Sequence, residues 1–217
     1  MTRLKEVSLR DADPFARDLY KFIFGERDPV EKPGTDTGTP GNWWTVFALV
    51  PDILKHAVNG FSLYRDPARK INPQLRELCQ TRAGYARGSK FVFSQHCKSC
   101  RAVGISEEKI SAIPSWQVSE VFSATERTAL AYADALVIDG GRVNDELFAQ
   151  LKKYLSDEAI LELTYITALY DMHATMSKAL RLEYDDIQET VSEVEAPPGG
   201  VNNDVMRVAD NTKPEIY

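Results

Sequence analysis

The chain has 217 residues, of which 43% are hydrophobic and 27% charged, and its formal net charge is −6. That length suits one domain or two small ones and can bury a sizeable core. No run of roughly eighteen uncharged apolar residues is present, which excludes a membrane-spanning helix, and three cysteines cannot close a disulfide framework.

Residues 1–10 mix Arg, Lys and Glu without an apolar block, so no secretory signal is read there. With no Asn-x-Ser/Thr acceptor either, the expected setting is reducing and cytoplasmic. The charge is unevenly placed. Residues 183–217 hold nine acids and two bases, a net of −7, which leaves +1 for the rest. A near-neutral body without a basic stripe argues against nucleic acid as a partner.

Three segments are expected: an N-terminal helix with a Pro/Gly-rich loop over 1–42, a helical domain over 43–183, and an acidic extended tail over 184–217. Residues 11–25 predict a short helix with Asp13 as N-cap, Pro14 in the first turn and Gly25 as the stop. Phe15, Leu19, Phe22 and Ile23 are read as its shared face. Residues 26–42 hold three Pro and three Gly and predict a long loop. An apolar stretch follows from Trp43 to Tyr64, interrupted at Pro51. Asn72-Pro73 opens a helix to about Arg87, and Ser89 caps another that stops at Gly104. Ser106 starts a short helix ending before Pro114. Ser123 and Glu126 form a capping box for a helix to about Ile138. Asn144 caps one to Tyr154, and Ser156 opens a long one to about Leu182. No window alternates with period two, so the fold class is all-α. The tail holds few aromatics and would not order by itself; it either frays or wraps a neighbouring subunit.

Chemistry concentrates between Leu75 and Gly104. Ser89, Val92, His96, Ser99 and Val103 share one helical face. Two helices joined by a two-residue break pack antiparallel, which brings Glu77 toward His96. A carboxylate that fixes a histidine tautomer is a proton-transfer arrangement, though a buried structural histidine has the same pattern. Cys97 and Cys100 form a CxxC, which invites a redox reading. Cys97 lies two turns inside its helix, however, away from the N-terminal dipole that lowers thiol pKa values. Cys79 is expected in the core and His56 at the surface. No second Cys/His pair stands at zinc spacing, so no metal is expected. His173, in Tyr170-Asp171-Met172-His173, points to a core, an interface or a substrate. Phosphate loops, a G-x-S-x-G elbow and HExxH are absent.

The run Leu75-Arg76-Glu77-Leu78, the twelve-residue step from Glu77 to Ser89 and then His96 resemble the carboxymuconolactone decarboxylase / alkylhydroperoxidase D (AhpD-like) family. Residues 102–110, 123–136 and 157–182 look like its following helices, so the resemblance spans roughly 43–183. It implies an AhpD-like helical bundle and a homo-oligomer, a trimer or hexamer. The peroxidase branch carries Glu, Cys-x-x-Cys, and His four residues after the second cysteine. Glu77 and His96 match that pattern, whereas the two cysteine positions fall on Ser89 and Val92. The resemblance therefore implies a cofactor-independent acid/base enzyme acting on a small carboxylated or lactone-type molecule. His96, Glu77 and Ser89 would be catalytic; apart from the resemblance, Arg82, Arg87 and His173 are candidate substrate contacts, with a structural role the alternative for His173. A thiol peroxidase or disulfide oxidoreductase using Cys97 and Cys100, and a non-catalytic helical assembly protein, are the rival readings.

Overall fold

The computed structural model describes residues 1–186 and 189–201, and these are all-helical. The α-helices run α1 Pro14–Phe24, α2 Asn42–Phe47, α3 Pro51–Arg65, α4 Pro73–Arg87, α5 Lys90–Ala102, α6 Glu107–Ala112, α7 Ala124–Val137, α8 Asp145–Tyr154 and α9 Asp157–Leu180. A 3-10 helix at Ile113–Val118 continues α6 past Pro114, where a stop was expected. Local caps explain the starts. Asp13, Asn72, Ser89, Ser106, Asn144 and Ser156 each accept a backbone N–H of their own first turn, and Ser123 and Glu126 close a capping box. In α1 the packed face is Ala16, Leu19, Tyr20 and Phe24, whereas Phe22 is 47% exposed. The helix is thus rotated from its expected face, because Tyr20 turns inward to donate to the Val7 carbonyl.

The fold centres on α4, which packs against α5, α7 and α9. All ten residues from Leu75 to Gly84 are buried, five of them charged or polar: Arg76, Glu77, Gln80, Thr81 and Arg82. A helix buried on every side must pair its polar groups internally, since each orphan costs about 1–3 kcal/mol. Thr81 donates to the Glu77 carbonyl one turn back. Arg82 forks onto Asp134 of α7 at 2.5 and 3.0 Å and also donates to the Ile113 and Pro114 carbonyls. Gly84 is where α4 and α5 touch. A Cβ there would lie 2.7 Å from the Phe93 nitrogen and 2.8 Å from a Val92 methyl.

The expected frayed or subunit-wrapping tail behaves differently over its described residues, which lie on the chain's own α5. Asp185 accepts from the Ser89 hydroxyl and from the Lys90 and Phe91 backbone N–H groups. Farther along, Val194 donates to Ser94, Lys98 donates to the Val194 carbonyl, and Arg101 forks onto Glu193. The strap buries Lys98 completely and ends where Val201 bonds the Asp36 carbonyl of the N-terminal loop. Long-range ion pairs on α5, rather than tail composition, order this segment. Among the described residues, no helix is long and apolar enough to cross a membrane, and no three His, Cys, Asp or Glu side chains converge as metal ligands would.

Candidate active site

Glu77 projects from the middle of α4 and His96 from the middle of α5, and the structure brings them together. His96 Nδ1 lies 2.8 Å from Glu77 Oε2, with both side chains almost fully buried. The other carboxylate oxygen takes Arg76 Nε and Nη2 at 3.1 and 2.8 Å, and Arg76 Nη1 donates to the Tyr64 carbonyl. With its amide nitrogen turned toward Glu77, Gln80 donates to both oxygens at 3.1 and 3.2 Å. Burial alone would raise the Glu77 pKa, but the hydrogen bonds and charges of His96 and Arg76 outweigh it and hold the group below its ordinary value. An ionised Glu77 accepts from Nδ1–H and so fixes the tautomer, presenting Nε2 of His96 as the working nitrogen. Among the described residues, Nε2 has no hydrogen-bond partner.

The wall beside this pair is aromatic. The Tyr170 ring meets His96 edge-on, centroids 4.1 Å apart, and its hydroxyl pairs with that of Tyr64 at 2.7 Å. Burial pushes both phenols up, so they stay protonated at neutral pH. Arg76 stacks over the Tyr64 ring at 5.2 Å. Arg76, Gln80, Tyr64 and Tyr170 escaped the sequence reading. Neighbours in a helix do not face each other by periodicity, and only the reach of the Arg76 side chain closes the pair with Glu77.

The other expected site residues lie elsewhere. Ser89 caps α5 and bonds Asp185. Seven residues of helix, about 10 Å of rise, separate it from His96. Arg82 is spent on Asp134, and Arg87 on Asp171 and the Val137 carbonyl, so neither offers a free cation to a substrate. Cys97 and Cys100 are free but buried. Burial pushes both thiols well up, with Thr81 the hydrogen-bond partner of Cys100. His56 is exposed and Cys79 is buried. His173 lies in an aromatic box next to Tyr170.

Two buried groups at this end titrate in opposite senses. Burial lowers His173 to about 4 and raises Glu183 to about 7, although the Trp43 and Gly41 N–H groups and Thr39 pull it down. His173 contributes stability that is present above pH 6.5 and lost as pH falls toward 4. Glu183 contributes stability that is present below pH 4.5 and lost as pH rises through 7. Each is worth about 3 kcal/mol, so the slopes cancel between. The Glu183→Gln variant should expose the histidine limb, gaining about 3 kcal/mol from pH 4 to 6.5. Urea unfolding across that range checks it, and matching slopes in variant and parent would refute the assignment.

Residues 54–135 match the sequence profile of the carboxymuconolactone decarboxylase family. The segment belongs to that family. Around this carboxymuconolactone decarboxylase segment, a 147-residue stretch is 25% identical to YnjA of Escherichia coli (strain K12), an uncharacterized protein, and covers 65% of this chain and 76% of that one. A protein of unknown function from Agrobacterium tumefaciens, proposed to be the antioxidant defence protein AhpD, aligns with a TM-score of 0.58 at 24% identity, over 62% of this chain and 92% of that one. The debrominase Bmp8, as a cysteine-to-alanine variant in complex with 2,3,4-tribromopyrrole, aligns with a TM-score of 0.65 at 19% identity, over 88% and 95% of the two chains. At these identities the likeness is one of fold. The fold is the all-α AhpD-like bundle, and both Glu77 and His96 fall inside the family segment.

Proposed function

We propose that the chain is a cofactor-independent acid/base enzyme, a decarboxylase-like lyase acting on a small carboxylated or lactone-type ring. The observation that carries this reading is the buried 2.8 Å contact between His96 Nδ1 and Glu77. When a carboxylate leaves as carbon dioxide, its bonding electron pair stays on the ring carbon. The imidazolium Nε2–H of His96 delivers a proton to that carbon, while Glu77 holds Nδ1–H and stabilises the charged ring. With Arg82 and Arg87 committed to Asp134 and Asp171, no guanidinium on α4 is left to anchor the departing carboxylate, which favours dispersal of its charge into the ring. The family's enzymatic character supports catalysis over a purely structural role. A stripe of exposed apolar side chains on α9, Leu161, Tyr165 and Met172, supports a homo-oligomer built through that helix.

The test is release of carbon dioxide from carboxymuconolactone by the purified protein. A Cys97→Ser/Cys100→Ser double variant should keep its turnover within about twofold, since neither thiol enters the step. Turnover that collapses in this variant, or dithiol-driven hydroperoxide reduction in the parent, would transfer the function to the cysteines.

A further inference from the structure

His173 sits three residues beyond Tyr170 on α9 and is 3% exposed. Rings surround it: centroid distances are 5.5 Å to Phe61, 5.6 Å to Tyr170, 5.8 Å to Trp43 and 6.3 Å to Phe47. Its Nε2 is buried and, among the described residues, has no hydrogen-bond partner. Such an orphan carries a desolvation cost, which a phenylalanine in the same box would avoid. The box also shares a wall with the acid/base pair, because the Tyr170 ring that touches His173 meets His96 at 4.1 Å. On α4, Arg76 is engaged by Glu77 and the Tyr64 carbonyl, so it offers no free charge to an anionic group.

We infer that His173 is a substrate-binding residue: its Nε2 hydrogen-bonds an uncharged oxygen, hydroxyl or carbonyl, of a flat ring held against Trp43, Phe47 and Phe61 beside His96. A neutral imidazole carries one N–H and one lone pair, so it can serve either oxygen. Aromatic walls hold the ring by its faces and edges. The orphan nitrogen supplies selectivity, since a ligand that lacks the oxygen leaves it unpaired. The inference rests on the acid/base reading for the identity of the reaction but not for binding.

Phenol and toluene are the probes, two rings of one shape that differ in the oxygen. With only three histidines in the chain, ring-nitrogen NMR resolves each. Phenol should shift His173 saturably and bind at least about tenfold more tightly than toluene. In His173→Phe that ratio should fall to about one. In His96→Gln the ratio should persist although turnover is lost. Equal binding of the two probes to the parent protein would overturn the inference without recourse to any variant. So would an unchanged ratio in His173→Phe, or phenol shifts confined to the exposed His56. Phenol binding at His173 in a protein that releases no carbon dioxide would leave this inference standing while the lyase reading fails.

Discussion

Glu77→Gln should lower turnover by a factor of about 10²–10⁴ and destabilise the fold by about 3–5 kcal/mol. The two losses have different origins. Gln80 and Arg76 both donate to the native carboxylate, so an amide at this position must turn its oxygen toward them. Its NH₂ then faces His96 Nδ1, which has to become an acceptor. The proton moves to Nε2, and the imidazolium that the reaction needs loses its counter-charge. The stability loss arises because Arg76 stays buried with its fixed charge and no anion. Carbon dioxide release at saturating carboxymuconolactone measures the first effect, and urea unfolding the second. His96→Gln should match the loss of turnover with a smaller loss of stability, because the Arg76–Glu77 pair survives. A Glu77→Gln enzyme with unchanged kcat would remove the carboxylate from the mechanism.

Gly84→Ala should reduce turnover by about 10²-fold, because misplacement of catalytic groups by ~1 Å has that effect. The added methyl would meet backbone atoms, the Phe93 nitrogen at 2.7 Å and the Val92 carbonyl carbon at 3.1 Å, which cannot rotate away as a side-chain tip can. The helices must separate along the seam that also holds Glu77 against His96. Overpacking costs typically ~1–3 kcal/mol, and the better helix propensity of alanine returns about 1 kcal/mol of it. The signature is therefore activity lost out of proportion to stability, read from kcat and the unfolding midpoint of the same preparation. Full activity would show that the α4–α5 distance is not what sets the site.

What could be read before the structure divides along the range of the interactions. Asp13, Asn72, Ser89 and Ser156 act on N–H groups two or three residues away, so their helices announce themselves locally. The Glu77–His96 contact was legible because two helices joined by a short break return antiparallel. The surroundings of that contact were not. A helix as polar as α4 gives no sign that α5, α7 and α9 will enclose it, and Arg82 looked available until Asp134, on a helix much later in the chain, claimed it. The cap that Ser89 forms on Val92 is local and legible, but its bond to Asp185 depends on a residue 96 positions away. The described part of the tail was illegible for the same reason, since its placement rests on Ser94, Lys98 and Arg101 rather than on its own composition; residues 202–217 lie outside the described residues.

The segment that follows α9 also bears on how the protein is made. Chain reversal through Arg181 and Glu183, both at positive φ, delivers the Glu183 carboxylate to the Gly41 and Trp43 N–H groups at the start of α2 and Asp185 to the start of α5. Two helices emerging early from the ribosome thus wait for acceptors that are synthesised near the end. A chain released at residue 181 would keep its helix-forming sequences yet leave Trp43 and the first turn of α5 without these partners. Pulse proteolysis of such a truncation should cut first at 41–47, where the aromatic box would otherwise be closed.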